Sequence, residues 1–425
     1  MKNLEDSLTG YLRSLDVSDN QLGHEGAYEI SKMLNLTSLN INTNNLDHRG
    51  AAEIAKMKNL TSLMVSSNYL GPRGADEIYK LINLESLDIY NNRLGSDGTN
   101  EISKLVKLKS LNIQTNNLGH RGAEEVYKLT NLETLGINSN SLGPGGAAEI
   151  AKLINLTSLD ILDNNLDVRD IAEIAKLINL TSLTINGDQI RQGIDEIIHL
   201  SNLKYFNIGY SQIGPEEAAK IVNLTNLESL GIGGNNLGPE GAGQIAKMSN
   251  LKSLDISNNR LGPEGAGQIA KMSNLKSLDI SNNRLGPEGS AEISKMKNLT
   301  SLAIGYNNLG HEGSYEIIKM ANLTSLNIDG NDLGPEGATE IAKMSNLTDL
   351  NISGNYLGPR GADEIVKMKN LTSLVINNND IGMNELIKLG KMPKLLSLII
   401  KDNKFFYVNI DEINEMFNLT TLQIN

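Results

Sequence analysis

Asp255 and Asp279 stand 24 residues apart in two stretches that are nearly copies, LKSLDISNNRLGPEGAGQI (251–269) and LKSLDISNNRLGPEGSAEI (275–293). Carboxylates at one slot of neighbouring strands lie close together, and like charges opposed across strands destabilise the pair. A cation or a partner's basic side chain would relieve them. So would Lys252, Lys276, Arg260 and Arg284, which recur beside them and make the stretch a self-neutralising charge stripe. Four of the five histidines, His24, His48, His120 and His311, share another slot, where other repeats carry the proline of a Gly-Pro-Glu-Gly turn. Two neighbouring imidazoles without carboxylate or thiolate support make a poor zinc site, so no metal site and no cofactor is read from them. The chain has no cysteine, which removes disulfides, thiolate metal sites and a thiol nucleophile. It spells no nucleophile–base pair, zinc motif or phosphate loop. The chemistry on offer is recognition, and the expectation is not an enzyme.

The elements that must position these residues are periodic. A leucine opens a repeat at Leu12 and every 24 residues to Leu180, then after one 23-residue step at Leu203 and every 24 residues to Leu419. That gives seventeen complete repeats and a partial eighteenth. A length of 425 residues would ordinarily suggest several domains, but a solenoid grows by adding repeats to one continuous core. The expected organisation is an N-terminal edge segment, residues 1–11, and a single domain, residues 12–425, with an irregular joint near 180–226.

In the repeat at Leu251, the residues Leu251, Leu254, Ile256 and Leu261 are apolar with polar residues between, a short strand and a turn. Gly262-Pro263-Glu264-Gly265 then starts a helix, because proline costs nothing at the first helical position and glutamate suits the positive end of the dipole. Gly265, Ile269 and Met272 share one face of about two helical turns, and Asn274 is expected as a left-handed C-cap. Gly265 and Ala266 are small enough to let the helix approach the sheet. Asn259 is expected to point inward, where an amide offers both donor and acceptor to backbone groups at the strand end. Asparagine fills that slot in fifteen of the seventeen complete repeats, with Asp188 and Ser211 the exceptions.

The pattern LxxLxIxxNxLGPEGAxxIAKMxN resembles the ribonuclease-inhibitor-like class of leucine-rich repeats over about residues 12–425, and its 24-residue length is most similar to the GALA-type repeats of bacterial effector proteins. The resemblance implies an α/β leucine-rich-repeat solenoid (horseshoe), with a parallel β-sheet on the concave face and α-helices on the convex face. It also implies a non-enzymatic scaffold that binds a protein on the concave face. No F-box-sized segment precedes Leu12, so the ubiquitin-ligase recruitment of GALA proteins is not carried over. Two other readings stay open: a regulator of a partner enzyme, as the Ran GTPase-activating proteins of this class are, and a structural or surface spacer.

Counting from the first leucine, slots 3, 5, 7 and 8 face the concave side. Slot 3 is mostly serine, and slot 5 alternates acids with small or amide residues, including Asp88, Asp160, Asp255 and Asp279. Against this plain surface Tyr90, Tyr205, Tyr210 and Tyr306 stand on or beside the face, with Tyr69 and Tyr356 at its edge. Tyrosine is a favoured hot-spot residue. These four tyrosines and four aspartates are therefore the partner-contact candidates; the alternative is that tyrosines scattered on a sheet are favourable packing.

The pattern breaks from about Asp167 to Leu224. Asp170 replaces a turn glycine and Phe206 a strand leucine, which reads either as drift at a tolerated joint or as a kink that aims Tyr205 and Tyr210 at a ligand. Lys404-Phe405-Phe406-Tyr407 reads as capping or a small interface, with Phe405 in place of the turn leucine and Phe406 or Tyr407 covering an end. The sequence stops after a strand without its helix, so either the natural protein continues or a partner covers the edge.

A net charge of −12 argues against nucleic acid, which needs a basic stripe, and points weakly to a neutral or basic protein surface. No stretch approaches the ~18 apolar residues of a membrane span, and the N-terminus has no apolar signal core. Asn-Leu-Thr occurs ten times and matches the glycosylation sequon, yet each asparagine falls at a helix end beside the core. That places the protein in the cytoplasm or, as a bacterial effector, in a host cell, and outside the eukaryotic secretory pathway.

Overall fold

The computed structural model describes residues 11–405, 416 and 418–424. Most of the expected edge segment, and Phe406 and Tyr407 with their expected capping role, lie outside the described residues. The chain divides into two compact units, Met1–Ser211 and Gln212–Asn425, called here the N-terminal and C-terminal halves. Among the described residues the N-terminal half carries nine three-residue strands, from Ser14–Asp16 to Tyr205–Asn207, each parallel to the next. The C-terminal half carries nine more, from Ser229–Gly231 to Thr421–Gln423. A helix follows nearly every strand, so each half alternates strand and helix, as a leucine-rich-repeat solenoid does. No helix among the described residues is long and apolar enough to cross a membrane.

Register follows the repeat slot for slot. Ser253, Leu254 and Asp255 pair with Ser277, Leu278 and Asp279, because only that alignment keeps every leucine on the buried face. Leu251, Leu254, Ile256, Leu261, Ala266 and Ile269 are at most 1% exposed. Each large one contributes about 1.5–3 kcal/mol, and Leu254→Ala would cost about 2–5 kcal/mol. The 23-residue repeat is absorbed in its helical part: two short helices, Gln189–Gln192 and Ile194–Ile197, replace one, and the strands on either side of them still pair Ser182 with Tyr205 and Leu183 with Phe206. Phe206 is fully buried, so the larger ring is taken into the core.

The helix Gly262–Ile269 begins where the Gly-Pro-Glu-Gly motif places it, with Pro263 in the first turn. Gly265 does not serve the helix–sheet approach expected of it. A Cβ there would lie 2.7 Å from Leu261 Cβ, 3.4 Å from Pro239 Cα and 3.6 Å from Ala242 Cβ, so the glycine lets the chain fold back on Leu261 and lets neighbouring helices touch.

Asn274 is not a left-handed cap either. Ala270 ends the helix in right-handed geometry, its N–H donating to Ala266 O and that of Lys271 to Gln268 O, and the left-handed residues lie on the strand side at Asn258, Arg260 and Gly262. The helix closes by tightening its last turn, which leaves the Asn274 amide to donate 2.8 Å to Ser249 O of the preceding repeat. The same bond recurs from Asn59 to Leu34 O, Asn179 to Ile154 O and Asn370 to Ser345 O, an outer asparagine ladder.

Where the turn glycine is replaced by an acid, the helix start changes. Asp170 is buried and accepts from Asp167 N at 2.8 Å, Gly145 N at 3.1 Å and Ala147 N at 3.2 Å, completing a capping box with Asp167. Glu217 and Glu385 occupy the same slot and accept from Gly214 N and Gly382 N. In all three the residue before the helix is extended instead of right-handed, the geometry a carboxylate cap requires.

Candidate protein-binding surface

The strand face is held by an inner asparagine ladder. Asn259 is fully buried; its amide donates to Ile232 O at 2.9 Å, Ser257 O at 2.9 Å and Ile256 O at 3.2 Å, while its carbonyl accepts from Leu237 N at 3.2 Å. Its own N–H donates 2.9 Å to the side chain of Asn283 in the next repeat. The expected inward amide is there, and it also links one repeat to the next. The turn it fixes holds slots 8 and 10 in left-handed backbone. Tyr210 and Tyr306 occupy slot 8, Tyr69 and Tyr356 slot 10, all four with φ between 52 and 58°. Asparagine is tolerated there, whereas a bulky residue is an outlier and costs about 1–3 kcal/mol. These rings are also more open than Tyr90 and Tyr205, from 58% exposed at Tyr69 to 72% at Tyr210. Tyr69 is already engaged, with the Arg93 guanidinium 5.2 Å from its ring centre.

In the C-terminal half the candidates come together. Asp255 and Asp279 are register partners. Burial pushes the Asp279 carboxyl above the usual aspartate range, Asp255's charge adds to it, and bonds from Ser281 oppose it. Asp329, one slot before Gly330, is raised for the same first reason, with Asp279 contributing. The Tyr306 hydroxyl feels Asp329, whose charge is the largest cause of raising its pKa. Glycines make the room: a Cβ on Gly305 would fall 1.9 Å from Asp329 Oδ1, and one on Gly330 would fall 2.6 Å from the Tyr306 ring. The self-neutralising stripe is not what forms. Lys252 Nζ reaches Glu228 at 2.6 Å, and no basic residue is among the causes acting on Asp279.

In the N-terminal half the candidates stay apart. Asp88 accepts from Ser66 Oγ at 2.6 Å and Tyr90 N at 3.2 Å, so it braces its own turn beside the half-exposed Tyr90. Asp160 stands two repeats beyond the adjoining one, between Gly136 and Thr184. Its Oδ2 accepts from Asn138 at 2.7 Å and Gln114 at 3.4 Å, its Oδ1 is buried without a partner, and burial raises its pKa. Tyr205 opens the last strand of this half and Tyr210 follows it, 40% and 72% exposed. Four strands separate Tyr205 from Asp88.

Asp329 is the site residue that sequence reasoning missed. The signal was an acid in slot 7 with glycine at Gly330 and at Gly305, its counterpart in the preceding repeat. Of the turn histidines, His120 lies 3.8 Å from Glu124 and His311 packs edge-on to Tyr315.

A family model described as a leucine-rich repeat region matches residues 189–421, and two shorter leucine-rich-repeat models match 11–31 and 83–105. No curated protein matches the chain. Among solved structures it is similar to an internalin from Listeria monocytogenes, at 20% identity over 84% of this chain and 94% of that one, TM-score 0.49. It is similar to a leucine-rich-repeat protein from Leptospira interrogans, at 24% identity over 99% of both chains, TM-score 0.49. A third is the ectodomain of a plant membrane receptor kinase from Arabidopsis thaliana, at 22% identity over 99% of this chain and 54% of that one, TM-score 0.41.

Proposed function

The chain belongs to the leucine-rich-repeat family, whose members generally serve as protein-interaction scaffolds, and we propose that it binds a protein on its strand face without chemistry of its own. The observation that carries this is Tyr306: an exposed ring in strained left-handed backbone, seated over Gly330 and under the charge of a part-buried aspartate. A ring held this way loses little freedom on binding, which is what makes tyrosine an effective anchor. Asp279 and Asp329 beside it favour a partner surface that brings a basic side chain. The eight-residue helix in most repeats supports the ribonuclease-inhibitor-like class, with the 24-residue GALA-type repeats the nearest in length. The role we infer is a bacterial effector or intracellular adaptor. Its support is the outer ladder, where asparagines of the Asn-Leu-Thr triplets spend their amides on the preceding repeat, a packed position that a bulky glycan on the same nitrogen would disturb.

The test is capture of a partner by wild type and by a Tyr210→Ala, Tyr306→Ala double variant. A partner retained by wild type and lost by the variant supports strand-face recognition. A partner held equally by both moves the contact elsewhere, and no partner for either favours a spacer.

A further inference from the structure

We propose that a second copy of this chain docks against one flank of the N-terminal half, along a stripe of aliphatic side chains at slot 23. Leu34, Ile82, Val106, Ile154 and Ile178 occupy that slot, in the turn after the helix, and are 55%, 62%, 58%, 69% and 65% exposed. The turns stack in register, because the outer asparagines bond the slot-23 carbonyls: Asn131 to Val106 O at 2.8 Å, Asn155 to Thr130 O at 2.9 Å, Asn179 to Ile154 O at 3.0 Å. The side chains therefore form a column, interrupted at Lys58 and Thr130, which over seven repeats spans at least about 30 Å at the strand spacing.

The fold does not ask for these residues. In the C-terminal half the slot is mostly small or charged, as at Ser249, Ser273, Lys297, Ala321 and Ser345, with Pro393 and Phe417 the apolar exceptions, and at Lys297 the turn keeps its backbone bond, Lys297 N to Lys295 O at 3.0 Å against Val106 N to Lys104 O at 3.0 Å. Single exposed aliphatics need no explanation, but an aligned row confined to one half marks an interaction surface.

Charge decides the occupant. Beside Val106 and Ile154 runs a groove of about 560 Å³ whose lining includes Glu85, Lys107, Lys109 and Glu133, with Lys109 2.8 Å from Glu85. A membrane surface is met by a basic rim, and a partner of one sign would leave half of these charges opposed. A two-fold contact sets a patch against itself and needs both signs on one surface, which is what this groove offers. The stripe lies on turns and not on strands, so the contact is independent of strand-face recognition.

Sedimentation velocity over about 1–100 μM, where standard-size interfaces dissociate, tests this with wild type and with Ile82→Ser, Val106→Ser, Ile154→Ser, Ile178→Ser combined. Serine is native to the slot in the other half, so circular dichroism and melting should be unchanged. Wild type is expected to approach twice the monomer mass, and the serine variant to stay monomeric. Thr130→Arg, which leaves every aliphatic in place and puts a cation where Lys58 already sits in the same slot, is expected to weaken the dimer at least tenfold. A wild type monomeric throughout, a serine variant that dimerises like wild type, or a monomeric wild type that floats with phosphatidylcholine vesicles overturns the proposal.

Discussion

Asn283→Ala isolates what the inner ladder is worth. Asn283 is fully buried; it accepts from Asn259 N at 2.9 Å and Leu261 N at 3.3 Å and donates to Ile256, Ile280 and Ser281 carbonyls at 3.0–3.1 Å. Alanine leaves two buried N–H groups without acceptors. Each costs about 1–3 kcal/mol, and since the Leu261 bond is long the sum falls near 3–4 kcal/mol, within a bracket of about 2–6. Urea denaturation followed by circular dichroism reads the loss, and faster amide exchange at Asn259 and Leu261 locates it. The linkage between repeats adds a sharper expectation. The Asn259 and Asn283 amides donate to the same carbonyl, Ile256 O, so Asn259→Ala and Asn283→Ala should be non-additive by at least about 0.5 kcal/mol, whereas Asn259→Ala and Asn355→Ala, four repeats apart, should add within about 0.5 kcal/mol. A loss below about 1 kcal/mol for Asn283→Ala, or equal coupling in both pairs, would refute the reasoning.

Asp279→Asn tests the buried carboxylates. A folded-state pKa raised above the ordinary 3.8 means that the native chain holds the proton more tightly than the unfolded one. The ionised form therefore costs stability at neutral pH, a cost that fades as pH falls through the raised value and is gone below 3.8. The variant should melt higher than wild type at neutral pH and together with it near pH 3.5; equal melting at both pH values would contradict this. Gly305→Ala should displace Asp329, and the Tyr306 hydroxyl, followed by NMR against a Tyr306→Phe control, should then ionise closer to the ordinary 10.0; an unmoved titration would mean that Asp329 does not set it. Asp170→Ala should cost about 2 kcal/mol, the upper end for a helix cap, because it frees N–H groups of two repeats, while Asp167→Ala should cost about 1 kcal/mol. Equal losses would show that the bonds to Gly145 and Ala147 contribute nothing.

Strand, turn and helix start were legible because each rests on residues inside one repeat: the alternation of Leu254 and Ile256, Pro263 in the first turn, Asn259 between them. What was not legible depends on contacts between repeats. Asn274 had the right type for a left-handed cap, but Ser249 O of the previous repeat claims its amide. Asp170 looked like a missing glycine, although Asp167 three residues earlier already spelled a capping box. The charge stripe failed for the same reason: Lys252 has Glu228, one strand back, in closer reach than Asp255. Asp329 was invisible because neither it nor Tyr306 is unusual alone; the pair exists because Gly305 and Gly330 clear the space around both. Among the candidate residues, sequence found those on the exposed face and could not say which of them meet.

The inner ladder also bears on how such a chain changes over generations. Asn259 meets Asn283 as Asn283 meets Asn307, at 2.9 and 2.8 Å, so every joint is interchangeable with its neighbour. Excising one whole 24-residue period would bring Asn259 to Asn307 with each amide still answered. Losing or gaining any other number of residues must be hidden in a helix, as the 23-residue step is at Gly193, whose Cβ would lie 2.6 Å from Ile171. Recombination between stretches as alike as 251–269 and 275–293 therefore yields a folded product of a different length, and the extent of the solenoid is a quantity that inheritance can adjust in steps without redesigning any bond.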